Sequence, residues 1–255
     1  MNSTSFDTVL FDKDGTIIDF SSIWMPWLHE VVEEVCRTVD ILDTTSWKKQ
    51  AFHAVGIENG KRLDPESPLA IGSMQDTYTI LAYCLYNLNH TPWSEALYAV
   101  MEAVEHINVQ KSYTTQMQAI DGVENFILEC KAAGKKIGVL TADDEDQAIL
   151  HLEQLDLYHH FDFVMGSDQV ERSKPFPDIA VKAAKAHDFD LSRAIMIGDT
   201  DADMGVAKNA DMARALGLVT YAYPQTHHLR RADEIYTTYP AMKEALFGGD
   251  ENNEK

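Results

Sequence analysis

The sequence predicts an α/β chain, a doubly wound parallel sheet with an all-helical block inserted near its start. Three observations predict it. Short apolar runs recur between helical segments, at Val9-Leu10-Phe11, Ile137-Gly138-Val139-Leu140 and Ala194-Ile195-Met196-Ile197. Each run ends at a residue able to do chemistry or bind a ligand: Asp12, Thr141 and, after Gly198, Asp199. From Ser21 to about Asn108 the apolar residues follow helical spacing and no convincing strand occurs. Strands separated by helices pair in parallel, and a long helical stretch directly after the first strand reads as an insertion.

In chain order, the first strand ends at Asp12, and Gly15 lets the backbone turn sharply just beyond it. Ser21-Ser22 is placed to cap a helix carrying Ile23, Trp24, Trp27, Leu28, Val31, Val32 and Val35. A second helix runs through Trp47, Ala51, Phe52 and Val55, and two more span Ser73 to Leu88 and Pro92 to Ile107. Between them, Lys61 to Pro68 is a polar, proline-marked loop. Tyr78, Tyr83, Tyr86 and Trp93 are assigned to helix packing. After the block, a helix from Val123 stops near Gly134 and leads to a buried strand over Lys136 to Leu140. Further alternation follows: helix Glu145 to Leu155, strand Phe161 to Met165, helix Asp178 to Ala186, strand Ala194 to Ile197, a helix to Asn209, and strands near Ala213 to Leu218 and Glu234 to Tyr236. The expected domains are residues 1–19 with 112–248 as the α/β core, 20–111 as the helical insertion, and 249–255 as a polar, disordered tail.

With 255 residues, 45% hydrophobic and 24% charged, the chain has enough apolar material for a large core. Its 41 acidic against 21 basic residues give a formal charge of -20, which disfavours nucleic acid and anionic membranes as partners. Cys36, Cys84 and Cys130 are scattered in helical contexts without zinc spacing and read as reduced packing residues. The absence of a signal-peptide pattern and of a long apolar run leads to the expectation of a cytoplasmic protein.

Asp12 and Asp14 stand at the carboxyl end of a strand, the edge at which open α/β sheets bind ligands. Two like charges so close are unstable together unless a cation or a shared proton offsets them, and the pair asks for a metal. Asp143, Asp144, Asp168 and Asp201 have simpler readings as helix starts or turns, with Asp168 able to approach a metal indirectly. His29, His53 and His106 read as packing or surface residues.

Asp12-Lys13-Asp14-Gly15-Thr16, Thr141, Lys174-Pro175 and Gly198-Asp199 with Asp203 resemble, in order and strand-end position, the four motifs of the haloacid dehalogenase-like hydrolase superfamily. The resemblance covers nearly the whole chain, and the helical insertion after the first motif is similar to the branch with a helical cap, which includes phosphoglycolate phosphatase-like enzymes. It implies a Rossmann-like core and a phosphatase that acts through an aspartyl-phosphate.

The resemblance also implies roles. Asp12 is expected to be the nucleophile and Asp14 the acid and base. Mg²⁺ is expected on Asp12, the Asp14 carbonyl and Asp199, with Asp203 orienting the metal shell or holding Lys174. Thr141 and the backbone N–H of Ala142 would bind phosphate oxygens, and Lys174 would offset charge on Asp12 and the phosphoryl group. Motif two has Ala142 after the Thr where relatives often have Asn. The carboxylate at Asp14 speaks against carbon–halogen cleavage.

The expected substrate is a small phosphate monoester, phosphoglycolate or sugar-phosphate-like, with Arg62 in the polar loop a candidate contact. A sugar-phosphate mutase and a non-enzymatic phospho-acceptor module are the alternatives. Either a monomer or a homodimer is compatible with the sequence.

Overall fold

The computed structural model of the protein describes residues 6–58, 62–110, 112–219 and 226–248. Lys61 of the polar loop and the expected tail 249–255 lie outside the described residues.

The elements in chain order are β1 (Thr8–Phe11), α1 (Phe20–Thr38), α2 (Thr44–Ala54), β2 (Ile57–Glu58), β3 (Arg62–Leu63), α3 (Pro68–Ile71), α4 (Met74–Asn89) and α5 (Trp93–Gln110). Then follow α6 (Val123–Ala132), β4 (Lys136–Leu140), α7 (Glu145–Gln154), β5 (Phe163–Met165), α8 (Asp178–His187), β6 (Ala194–Gly198), α9 (Asp201–Asn209), β7 (Arg214–Leu218), β8 (Glu234–Tyr236) and α10 (Tyr239–Phe247). The chain divides into two compact units, Met1–Asp19 with Ala119–Lys255, and Phe20–Gln118.

In the first unit six strands form one sheet in the order β5-β4-β1-β6-β7-β8, every pair parallel. The strands near its centre are apolar almost throughout because helices cover both faces, leaving no solvent side for alternation to mark. β1 lies in the middle, with Phe11 opposite Val139 on one side and Ile197 on the other. That register brings the residues following β1, β4 and β6 to one edge, at the point where strand order reverses. One buried cluster packs Leu10, Leu140, Met165, Ile179, Met196 and Met204 together.

α10 has no counterpart in the elements expected from the sequence. It starts at a Thr238 side-chain cap with Pro240 in its first turn, and Tyr239 packs on Phe126 of α6 with ring centroids 5.1 Å apart. The Tyr239 hydroxyl donates to the Thr16 carbonyl at 2.8 Å, which supports the turn after β1.

The second unit holds α1 to α5 and corrects the expectation in four ways. It is not wholly helical, since β2 and β3 form an antiparallel two-residue ribbon with Ile57 opposite Leu63. It extends to Gln118 rather than 111, because the 3-10 turn Ser112–Gln116 belongs with α1, and the Gln118 N–H donates to Ser22 Oγ at 3.0 Å. α1 begins at Phe20, so Ser21 and Ser22 lie in its first turn and do not cap it. Tyr83, Tyr86 and Trp93 are not core: each is more than two-fifths exposed, because the buried positions are Thr77, Leu81, Ala82, Cys84 and Leu85 on α4 and Ala96, Val100, Ala103, Val104 and Ile107 on α5. Their rings still meet one another on the surface, Tyr83 with Tyr86 and Tyr86 with Trp93. Ser73 closes a capping box with Asp76 at the start of α4.

Candidate active site

Asp12 follows β1, and its backbone N–H continues the ladder to the Ile197 carbonyl at 2.8 Å. Lys174, from the loop before α8, is buried beside it, with Nζ 2.6 Å from Asp12 Oδ1 and 2.6 Å from Asp203 Oδ1. Burial works against the ammonium, but Asp12 and Asp203 outweigh it and hold Lys174 charged, its pKa above the ordinary lysine value. Asp203 Oδ2 accepts from the N–H and hydroxyl of Thr200, closing a capping box at the start of α9. Both Asp203 oxygens are therefore engaged, and this residue holds Lys174.

Asp199 is buried, and neither of its carboxylate oxygens has a hydrogen-bond partner among the described residues. It lies against Gly15, whose φ is +84°; a Cβ there would stand 2.0 Å from Asp199 Oδ2. Gly15 is thus required twice, by its left-handed backbone and by the carboxylate that occupies its side-chain space. One ligand atom each from Asp12, Asp199 and Asp203 lies within 4.8 Å of the others.

A metal fits these residues. Among the described residues, five carboxylates around the edge (Asp12, Asp14, Asp143, Asp199 and Asp203) meet the two ammonium groups of Lys13 and Lys174. Burial, with Asp203 and Asp14 adding to it against Lys174, raises the Asp12 carboxyl to about 7. Burial, Asp12 and Asp203 raise Asp199 well above the carboxylate range. A buried carboxylate with no donors is costly unless a cation supplies the charge, and an all-oxygen donor set suits a hard divalent ion. Asp12 and Asp199 would hold it by their side chains.

Lys13 forms a second buried network. Its Nζ lies 2.9 Å from Asp143 Oδ2, 2.9 Å from His151 Nδ1 and 3.2 Å from Asp14 Oδ2, with no exposure of its own. An ammonium only donates, so Nδ1 of His151 is the acceptor. Asp143 also shapes the loop after β4: its N–H donates to Thr141 Oγ1 at 3.1 Å, and Oδ1 accepts from the Asp144 N–H at 2.9 Å. The Ala142 carbonyl accepts from Ser167 Oγ at 2.8 Å. A helix start, the simplest sequence reading of Asp143, does not describe it; it is a buried partner of Lys13.

The structure thus brings Asp12, Lys174, Asp199 and Asp203 into one cluster, and ties Asp14 through Lys13 to the loop carrying Thr141 and Ala142. Asp168 accepts from the Glu145 N–H at 2.9 Å and so caps α7. Asp201 is gripped by Arg231. Arg62 is exposed on β3, opposite Glu58. Sequence reading gave no weight to Lys13, His151, His228 or Arg231. A lysine between two aspartates at a strand end was the available sign for the first; the others carry no local pattern.

Comparison with known proteins agrees with this geometry. A family model for haloacid dehalogenase-like hydrolases matches residues 6–211. Pyrophosphatase PpaX of Halalkalibacterium halodurans is 26% identical over 234 residues, covering 90% of this chain and 91% of that protein. A solved structure described as a predicted phosphoglycolate phosphatase from Haemophilus somnus is similar with a TM-score of 0.73 at 15% identity, over 96% of this chain and 99% of that one. β-Phosphoglucomutase from Clostridium difficile is similar at TM-score 0.63 and 18% identity, over 95% and 96%. At these identities the structural likenesses speak for the fold alone, whereas the family model spans most of the chain, which belongs to the haloacid dehalogenase-like hydrolases.

Proposed function

We propose that the protein is a Mg²⁺-dependent phosphatase that hydrolyses a small phosphate monoester through an aspartyl-phosphate on Asp12. The observation that carries this is the arrangement around Asp12. Lys174 holds one carboxylate oxygen at 2.6 Å, and the donor-free carboxylate of Asp199 belongs to the same buried cluster.

An Asp12 oxygen attacks phosphorus while the bond to the leaving oxygen breaks, and Asp14 gives that oxygen its proton. Water then attacks the phosphorus of the aspartyl-phosphate, Asp14 takes the water's proton, and the Asp12 carboxylate is regenerated with release of phosphate. Lys174 offsets negative charge on Asp12 and on the transferring group. Thr141 and the Ala142 N–H bind phosphate oxygens. Bound Mg²⁺ supplies charge neutralisation at the phosphoryl oxygens.

Small phosphorylated metabolites are the expected partners, with the helical unit acting as a cap whose closure excludes water. Its insertion directly after the first motif supports that role, and Arg62 is its candidate substrate contact. A phosphoanhydride is the second substrate reading, supported by the name of the PpaX relative. A mutase would move phosphate between positions of a sugar without net release.

A panel of alkyl, sugar and aryl phosphates and pyrophosphate, assayed for phosphate release with and without Mg²⁺, tests the proposal. Mg²⁺-dependent release is expected, with acid-quenched protein carrying phosphate on Asp12. Full turnover in a strong chelator, with no metal retained, or label on another residue would overturn it.

A further inference from the structure

Asp199 poses a physical problem. Among the described residues neither carboxylate oxygen of Asp199 accepts a hydrogen bond that could aim it, so what orients the residue acts from behind. Two side chains outside the four motifs do this. His228 is fully buried, with Nε2 3.0 Å from the Asp199 carbonyl oxygen. A carbonyl only accepts, so Nε2 carries the proton and donates. Arg231 grips Asp201, two residues further on, at three points. Its backbone N–H reaches Oδ1 at 3.0 Å, Nε reaches Oδ2 at 2.9 Å, and Nη2 reaches the carbonyl oxygen at 2.7 Å.

Gly205 makes room for this grip. A Cβ at that position in α9 would stand 2.5 Å from Arg231 Nη1 and 2.5 Å from Pro175 Cβ. The guanidinium therefore rests on bare helix backbone, next to the residue that follows Lys174. Together His228 and Arg231 fasten both ends of the turn from Asp199 to Asp201, one through a carbonyl and the other through a carboxylate and a carbonyl. Asp199 is left with its carboxylate against Gly15.

We propose that His228 and Arg231 are positioning residues for the cation, presetting the Asp199 carboxylate by anchoring the backbone behind it. Partners that orient a ligand commonly matter to metal affinity by one to two orders of magnitude. This inference rests on the reading of Asp12 and Asp199 as metal ligands, and its test separates the two.

Mn²⁺ serves as the probe, its binding to the full chain measured by the loss of the free-ion electron paramagnetic resonance signal, with no turnover involved. Wild type is expected to bind one ion and Asp199→Asn none. His228→Leu should weaken binding by about tenfold to a hundredfold, and Arg231→Met by about tenfold. His228→Gln, whose amide N–H still donates to the carbonyl, should stay within about threefold of wild type. Circular dichroism reports whether each variant is folded. Folded His228→Leu and Arg231→Met that bind Mn²⁺ within about twofold of wild type overturn the proposal and leave the metal site standing. Wild type that binds no Mn²⁺ overturns the metal site and the proposal with it. Should His228→Leu not fold, Arg231→Met, whose side chain is 38% exposed, decides by the same two outcomes.

Discussion

Lys174 and Lys13 are both sheltered from solvent and each bridges carboxylates, yet they reach the sheet edge by opposite routes. Lys174 lies 162 residues from Asp12 and is joined to it only by the fold. Lys13 is its chain neighbour, and its side chain reaches instead to Asp143 and His151, 130 and 138 residues away. The first ammonium touches the expected nucleophile. The second reaches Asp14, the expected acid and base, and ties the turn after β1 to the loop after β4. Similar burial and similar pairing therefore separate into a lysine held against the proposed nucleophile and a lysine that joins two loops beside the proposed acid and base.

The largest effect expected is at the residue that distinguishes the two regions. Asp12→Asn should lower turnover by at least about a thousandfold and leave no phosphoenzyme in rapidly quenched protein analysed by mass spectrometry. Normal phosphoenzyme in that variant would break the comparison at its root.

Next, Lys174→Met should lower kcat by about 10²–10³, the loss typical of a donor aimed at developing charge. Steady-state kinetics at saturating Mg²⁺ measures it, and a loss confined to KM would mean that Lys174 only binds substrate.

Lys13→Met should act on stability first, by about 3–5 kcal/mol, because it leaves the buried Asp143 carboxylate without its ammonium. The double variant Lys13→Met with Asp143→Asn should recover much of that loss. Urea denaturation reads both, and a double variant no more stable than the single one would show that the network contributes differently.

The two regions should also differ in their response to pH and cation. Without a cation, burial raises Asp12 to about 7 and Asp199 well above its ordinary value. The native state then holds more protons than the unfolded chain from the carboxylate range up to about 7, so cation-free stability falls as pH rises through that window. Mg²⁺ competes with those protons. At about a hundred times its dissociation constant it should add about 2.7 kcal/mol at pH 8, and much less at pH 5. Calorimetry in the two buffers checks this, and equal gains would contradict the assignment of the shifts to the metal cluster.

The smallest effect is expected at Asp168. Asp168→Ala should cost about 1 kcal/mol through loss of the α7 cap, and Asp168→Asn much less, with Mg²⁺ dependence unchanged in both. A shift in the Mg²⁺ requirement would place Asp168 in the metal's surroundings after all.

The sheet was legible because its central strands are continuous apolar runs closed by polar residues: the expected span Lys136 to Leu140 is β4, and Ala194 to Ile197 lies in β6. Asp12 and Asp199 were legible too, since strand ends concentrate ligand-binding residues, while Lys174 and Asp203 were marked only by the resemblance of their motifs. α10 was not, because nine residues beginning with Tyr-Pro read as a chain end, and what makes them a helix is contact with Phe126 and Thr16. The ribbon of β2 and β3 has two residues a side, too few for any period to show. Tyr83, Tyr86 and Trp93 were misplaced because an aromatic residue fits either face of a helix, and only the neighbouring helices decide which face is covered.

By itself, then, the sequence determined the alternation of strand and helix and the insertion, and it singled out Asp12, Asp14, Thr141, Lys174, Asp199 and Asp203 as the candidates for chemistry. The elements are local facts, carried by apolar periodicity, and Asp12, Thr141 and Asp199 stand at the ends of runs; Lys174 and Asp203 were singled out by the resemblance of their motifs. Tertiary structure alone decided that Lys174 spends its charge on Asp12 and Asp203, that Asp199 keeps both oxygens without donors, and that Lys13 meets Asp143 and His151. It also decided that His228 and Arg231 stand behind the turn from Asp199 to Asp201. Hydrogen bonds act within about 3 Å, and the parallel register of β1, β4 and β6 is what brings residues more than a hundred positions apart to that distance.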